Sequence, residues 1–233
     1  MPLKLLHGSV SLMIDWHQIK LVLLDMDGTV LDLNFDNQFW QVHLPRAYAS
    51  RHGLSNDQAI AEIGPRLQQT EGSLNWYCLD HWSRELDLDI TALKHELAHL
   101  IAFRPQARSF LEALRRRKIP ILLVTNAHAE SLRLKLYRTR LDQLVNGIVC
   151  AHDIGVAKES SRFWQYLVDH YAIGLEHWLL IDDSPGVLRS ARHFGIPHLL
   201  MVEQPDSQSP KRIQQEFQSL ATFTQIMPGA QGG

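Results

Sequence analysis

Seven polar residues stand where short apolar runs stop. Asp25 and Asp27 follow Leu21-Val22-Leu23-Leu24, and Thr125 and Asn126 close Ile121-Leu122-Leu123-Val124. Lys158 lies beyond the apolar run that ends at Cys150, and Asp182 and Asp183 close Trp178-Leu179-Leu180-Ile181. On an extended segment, side chains two positions apart share a face, so Asp25 and Asp27 point the same way. Carboxylates that close repel one another unless a cation lies between them. Oxygen donors with few nitrogens or sulfurs suit Mg²⁺ better than zinc. A lysine supplies a point charge for a phosphate oxygen. A threonine before a helix N-terminus donates to another oxygen, helped by free backbone amides. Such a set fits phosphoryl transfer, where positioning and charge stabilisation supply most of the rate. Singly, each signal is weak. A lone lysine is usually a solvated surface charge, and Asp182-Asp183-Ser184-Pro185 reads equally well as a turn and helix cap. Their common placement at strand ends sets them apart.

That placement requires strands that deliver their carboxyl ends to one edge. Short runs rich in Val, Ile and Leu at residues 20–24, 119–125, 145–150, 178–183 and 198–202 read as buried strands. Helical patterns at 107–117, 129–139, 161–171 and 186–194 separate them. This alternation predicts an α/β fold: a doubly wound parallel sheet, made by right-handed crossovers and covered on both faces. Ligands of open α/β sheets bind beyond the carboxyl strand ends. Gly28 lets the backbone turn sharply after Asp27.

Between about residues 38 and 102 the texture changes to helical spacing. Phe39, Val42, Ala47 and Tyr48 suit one helix, and Asp57 is placed to cap a second. Leu74, Tyr77, Cys78 and Trp82 suit a third, and residues 90–101 a fourth. The result is an all-helical insert of about 65 residues, enough for a small bundle. Arg104-Pro105 marks the return to the sheet. The insert carries Trp40, Trp76, Tyr77 and Trp82 beside polar Asn34, Asn37 and Asn75. Aromatic faces stack nucleobases, although aromatics at helical spacing more often pack a bundle core. After Val202 the chain turns polar, and residues 228–233 read as a frayed end.

Composition narrows the class. The chain has 233 residues, 45% hydrophobic and 21% charged, with a net charge of −2. That balance gives no basic footprint for nucleic acid, and no apolar run approaches the ~20 residues of a membrane span. Residues 1–14 lack a convincing apolar region and a small-residue cleavage site, so no signal peptide is expected, and Met13 is an alternative start. Two distant cysteines, Cys78 and Cys150, argue against a disulfide framework and fit a reducing cytoplasm. His95-Glu96-Leu97-Ala98-His99 matches the HExxH zinc pattern on an expected helix, but Ala102 and Pro105 stand where a metzincin has its glycine and third histidine.

Taken in order, these motifs resemble the haloacid dehalogenase (HAD) superfamily. Asp25-Met26-Asp27-Gly28-Thr29-Val30 is similar to its first motif, Thr125-Asn126 to its second, Lys158 to its third and Asp182-Asp183 to its fourth. The resemblance implies a HAD-like Rossmannoid core at residues 1–33 and 103–233, with a helical C1-type cap at 34–102. It also implies that Asp25 is the nucleophile and forms an aspartyl-phosphate. Asp27 then protonates the leaving oxygen and deprotonates the attacking water. Thr125, Asn126 and Lys158 hold the phosphate. Asp25, the Asp27 carbonyl and Asp182 bind Mg²⁺, with Asp183 assisting. One departure is Lys158-Glu159, where most relatives have Lys-Pro. Within the superfamily, Asp32 to Trp40, Leu74 to Trp82, Thr125-Asn126-Ala127-His128 and Gln204-Pro205-Asp206-Ser207 resemble bacterial GMP/IMP nucleotidases. That implies hydrolysis of purine nucleoside 5′-monophosphates, with Asn34, Asn37, Trp40, Trp76 and Tyr77 as substrate contacts. A phosphatase or mutase of sugar phosphates shares both aspartates, and a catalytically silent binding module is the non-enzymatic alternative.

Overall fold

A computed structural model of the chain describes residues 14–229. The expectations about the first thirteen residues, and about fraying of residues 230–233, fall outside that range, while Pro228, where the frayed end was expected to begin, is buried. Six strands form one sheet: β1 (Leu21–Leu24), β2 (Ile121–Thr125), β3 (Gly147–Cys150), β4 (Trp178–Asp182), β5 (His198–Val202) and β6 (Gln218–Leu220). The order is β3-β2-β1-β4-β5-β6. Every paired strand runs parallel to its neighbour, with Leu24 opposite both Leu123 and Ile181. The chain winds one way from β1 through β2 to β3, then the other way from β4 to β6. The order therefore reverses between β1 and β4, the crevice where such sheets take ligands.

Both faces of the sheet are covered, which is why β1 has no polar alternation. Val22 and Leu24 face one cluster with Phe110, Leu111 and Leu114 of helix α7 (Ala107–Arg116). Leu21 and Leu23 face the other, with Trp164 of α10 (Ser161–His170) and Leu188 of α11 (Pro185–Phe194). Helix α8 (Ala129–Thr139) follows β2 over the expected residues, and the short helix α9 (Ala151–Ile154) follows β3.

Residues 34–100 form their own helical body, with a separate core that includes Phe39, Leu44, Ile63, Trp82 and Ile90. Its helices are α1 (Asn34–Gln38), α2 (Leu44–His52), α3 (Asn56–Thr70), α4 (Leu74–Tyr77), α5 (Leu79–Leu86) and α6 (Ile90–Glu96). A turn of π-helix at Phe39–His43 joins α1 to α2.

Several expectations need correction. A sixth strand, β6, lies in the polar tail, where only three residues with one buried side chain gave no pattern to read. The third strand begins at Gly147 rather than residue 145. Ser55, not Asp57, caps α3: its hydroxyl accepts the Gln58 N–H while the Gln58 side chain bonds back to Ser55 N–H. The expected helix through Leu74 and Trp82 is broken at Cys78, which takes an extended conformation. The HExxH helix ends at Glu96, and His99 lies in a following 3₁₀ turn. Because the α-helix ends between them, His95 and His99, both exposed, are not carried on one continuous helix as the HExxH pattern requires.

Candidate active site

Past the end of β1 the backbone folds on itself. The Met26 carbonyl accepts the N–H groups of both Val30 and Leu31, and the Gly28 N–H reaches the Leu31 carbonyl at 2.8 Å. Gly28 takes a φ of 85°, and a Cβ there would meet Asp183 Cγ at 2.8 Å and Pro205 Cβ at 2.9 Å. Glycine is therefore required twice, by conformation and by the closeness of the fourth motif.

Lys158 sits at the centre of the carboxylates. Its buried ammonium donates to Asp25 Oδ1 at 2.6 Å, Asp182 Oδ2 at 2.8 Å and the Val124 carbonyl at 3.2 Å. Burial opposes its charge, but Asp182 and Asp25 outweigh that and hold its pKa above the ordinary lysine range. Asn126 positions this lysine: its carbonyl accepts the Lys158 N–H at 2.9 Å, while its amide donates to Glu159 Oε2 at 2.9 Å. Thr125 is buried and its hydroxyl oxygen accepts the Ala127 N–H at 3.0 Å, leaving the hydroxyl proton to donate elsewhere.

Oxygens of Asp25, Asp182 and Asp183 lie within 4.8 Å of one another. Burial and then Asp182 push the Asp183 carboxyl up to about 7, with Arg212 opposing. Burial likewise raises the Asp25 carboxyl well above its ordinary value, although Lys158 pulls against it. Asp25 Oδ2 is buried without a hydrogen-bond partner. Three close carboxylates, one orphaned oxygen and no sulfur or nitrogen donor make a set that fits a hard divalent cation.

Asp27 does not share a face with Asp25 as expected: β1 ends at Leu24 and the chain turns at Met26, so the alternation of a strand no longer applies and Asp27 faces the other way. Its Oδ1 lies 2.7 Å from the ammonium of Lys135, on α8. Lys135 also reaches Asp36 Oδ2 at 2.7 Å, and Lys94 of α6 reaches Asp36 Oδ1 at 2.7 Å. Both lysines are buried. Burial raises the Asp27 carboxyl, and the pull of Lys135 only partly offsets it. Burial also works against ionised Asp36, but Lys135 and Lys94 together bring it down to about 2.

Two cavities meet at Asp27. One, of about 260 Å³, holds Asp25, Thr125, Asn126, Lys158, Asp182 and Asp183. The other, of about 350 Å³, opens beneath the insert between Asn37, Trp40, Trp76, Tyr77, Lys94 and Lys135. Asp27, Leu33, Tyr77 and Ala127 line both. The seven motif residues thus converge. Of the insert residues singled out in the sequence, Asn37, Trp40, Trp76 and Tyr77 line the second cavity. Asn34 lines neither: it opens α1 with its N–H on Asp32 Oδ1 at 3.0 Å. Trp82 is buried in the insert core, its indole N–H on the Trp76 carbonyl at 3.0 Å. Asn37 is held by a 2.6 Å hydrogen bond to Asp206 in the Gln204-Pro205-Asp206-Ser207 loop. Glu159, the departure from Lys-Pro, accepts from the Tyr77 hydroxyl at 3.1 Å and so links the sheet side to the insert.

Sequence reasoning missed Asp36, Lys94 and Lys135. Lys94 falls four residues after buried Ile90, and Lys135 four after buried Ser131 and four before buried Thr139. A lysine in phase with a buried helix face was the available signal.

Comparison with known proteins follows the same lines. The sequence model described as haloacid dehalogenase-like hydrolase matches residues 19–195. The GMP/IMP nucleotidase YrfG of Escherichia coli is 37% identical over 215 residues, covering 92% of this chain and 97% of that protein. The crystal structure of a HAD phosphatase from Thermococcus onnurineus superposes with a TM-score of 0.73 at 20% identity, over 89% of this chain and 96% of that one. A HAD-hydrolase of Bacillus subtilis, YfnB, solved bound to magnesium, superposes with a TM-score of 0.62 at 17% identity over 89% and 96%. At those identities the two structures speak for the fold.

Proposed function

We infer that this chain, which belongs to the haloacid dehalogenase-like hydrolases, is a Mg²⁺-dependent phosphomonoesterase acting on purine nucleoside 5′-monophosphates such as GMP and IMP. The observation that carries this reading is the pair of cavities joined at Asp27. One is sized and charged for a cation and a phosphate, and the other is aromatic and large enough for a leaving group. The likeness to the E. coli nucleotidase supports the choice of leaving group.

In this reading Asp25, Asp182 and Asp183 hold Mg²⁺, together with the Asp27 carbonyl. Bound there, the ion would offset their repulsion and screen phosphate charge. Lys158 and Thr125 neutralise and orient further phosphate oxygens, with Asn126 fixing Lys158. A carboxylate oxygen of Asp25 attacks phosphorus in line, and the P–O bond to the nucleoside breaks as the Asp25–phosphoryl bond forms. Asp27 donates its proton to the departing 5′-oxygen. Its raised pKa, and its place between the cavities, suit that role. Asp27 then takes a proton from the water that attacks the aspartyl-phosphate, and inorganic phosphate and free Asp25 result. We assign residues 34–102 as a cap over the core formed by 1–33 and 103–233, with the base stacked among Trp40, Trp76 and Tyr77. Cap movement admits substrate and excludes bulk water. Free Cys78 and Cys150 support a reducing, cytoplasmic setting. Among the described residues, no helix is long and apolar enough to cross a membrane.

A phosphate-release screen over nucleoside monophosphates and sugar phosphates, with Mg²⁺ and with EDTA, tests the proposal. GMP and IMP are expected to lead, with no release in EDTA. A preference for sugar phosphates would reject the nucleotide assignment, and release in EDTA would reject the metal.

A further inference from the structure

A second constellation lies at the seam between insert and core. Cys78, His128 and His152 each offer a ligand atom, and these atoms lie within 4.8 Å of one another. They come from three separate elements. Cys78 is the extended residue that breaks the helix between α4 and α5 of the insert. His128 precedes α8, three residues after Thr125. His152 lies in α9, beyond β3. The two imidazoles meet edge to face with ring centres 5.1 Å apart. Each group is already aimed. The Cys78 sulfur accepts the His81 N–H, and His128 Nδ1 faces the Glu130 N–H, which turns its Nε2 outward. That Nε2 lies 3.6 Å from a carboxylate oxygen of Asp80, an exposed side chain on the insert that stands outside the three-residue group as placed. His152 Nε2 is buried with no hydrogen-bond partner, an unmet lone pair or N–H of the kind folded proteins rarely leave.

We propose that Cys78, His128 and His152 form a binding site for a thiophilic divalent cation such as Zn²⁺, with Asp80 completing the shell, and that the bound ion locks the insert onto the core. A sulfur and two imidazoles select borderline or soft transition metals, whereas the oxygen-only cluster around Asp25 selects a hard one. Two chemically different sites would then lie at the two ends of the Thr125-Asn126-Ala127-His128 segment, Thr125 beside the carboxylates and His128 in the second cluster. Because Cys78 and Asp80 belong to the insert while both histidines belong to the core, an ion bound to all of them opposes any opening that turnover requires.

Co²⁺ is the probe. Added to metal-stripped full-length protein, one equivalent should give the near-ultraviolet absorption of a cobalt–thiolate bond and be displaced by Zn²⁺. Cys78→Ser should lose that absorption, and His152→Ala should bind Co²⁺ more weakly by at least the ~10–100-fold typical of disturbed metal sites. One equivalent of Zn²⁺ over saturating Mg²⁺ should slow phosphate release by the wild type and not by Cys78→Ser. This last readout rests on the phosphomonoesterase reading, whereas the absorption does not, so the two can fail separately. Co²⁺ binding without thiolate absorption, unchanged affinity in both variants, or equal Zn²⁺ inhibition of wild type and Cys78→Ser would overturn the proposal.

Discussion

The two sides of Asp27 bury charge in opposite proportions. On the sheet side, Asp25, Asp182 and Asp183 share one buried lysine, Lys158, with Arg212 reaching in from the surface. On the insert side, Asp27 and Asp36 face two buried lysines, Lys94 and Lys135. Burial penalises Asp25, Asp183, Asp27 and Asp36 alike, yet the outcomes diverge. Asp183 is driven up to about 7, whereas Asp36 is brought down to about 2. Where anions outnumber cations, the fold holds a cluster suited to a bound cation. Where the charges match, it holds a structural joint. The aromatic rings of Phe35, Phe39 and Trp40 surround the Lys94 ammonium at 4.7 to 5.5 Å and reinforce the joint. Asp27 belongs to both sides, which suits the proposed role of giving a proton to the leaving oxygen and taking one back from the attacking water.

This contrast can be broken experimentally. Asp27→Asn removes the proposed proton donor and keeps all three carboxylates of the other cluster. Steady-state phosphate release should fall by about 10²–10⁴-fold while Mg²⁺ affinity is kept. A parallel loss of Mg²⁺ binding would mean that the two clusters are not separable. Asp36→Asn leaves buried Lys94 without its carboxylate and Lys135 with Asp27 alone, and denaturant unfolding should show a loss of about 3–5 kcal/mol. A loss under about 1 kcal/mol would remove the structural role.

The pH dependence separates the sides more finely. Asp183 has a folded pKa above its ordinary 3.8, so the folded, metal-free protein binds more protons than the unfolded chain between about 4 and 7. Its contribution to metal-free stability therefore falls as pH rises through that window. Asp36, with its lowered pKa, contributes stability that is present above 3.8 and lost only as pH falls toward about 2. Mg²⁺ at 100 times its Kd adds about 2.7 kcal/mol to a site that is fully ionised. The rise in Tm on adding Mg²⁺ should therefore be larger at pH 8 than at pH 5, where protons compete for the same oxygens. Equal rises would place the ion elsewhere. Trp76→Ala should have the smallest effect. It should lower kcat/KM for GMP relative to a simple aryl phosphate by the equivalent of about 1–3 kcal/mol, the range for one base stacked on an aromatic ring. Equal losses on both substrates would leave Trp76 a packing residue.

What the sequence disclosed divides along the same line. Asp25, Asp27, Thr125, Asn126, Asp182 and Asp183 were legible because apolar runs that end in polar residues define strand ends, whereas Lys158, beyond β3 and α9, was legible only through its resemblance to the family's third motif. Parallel strands then bring those ends together whatever the details of the loops. The insert was legible only as helical. Its aromatics share one spacing, yet Trp82 is buried in the bundle core while Trp40 and Trp76 reach a cavity. Helical periodicity records that a face is covered and not by what. Asp36, Lys94 and Lys135 stayed hidden for a related reason. Asp36 meets Lys94 across 58 positions and Lys135 across 99, and nothing local marks such a long-range pairing.

The central claim is that the anion-rich side acts through a phosphorylated Asp25. Wild-type protein mixed with GMP and Mg²⁺, quenched in acid and digested, should yield one phosphoryl group on the peptide carrying Asp25. None should appear in EDTA, and Asp25→Asn should carry none and release no phosphate. Phosphate release by Asp25→Asn, or a phosphoryl group found on any other residue, would contradict it.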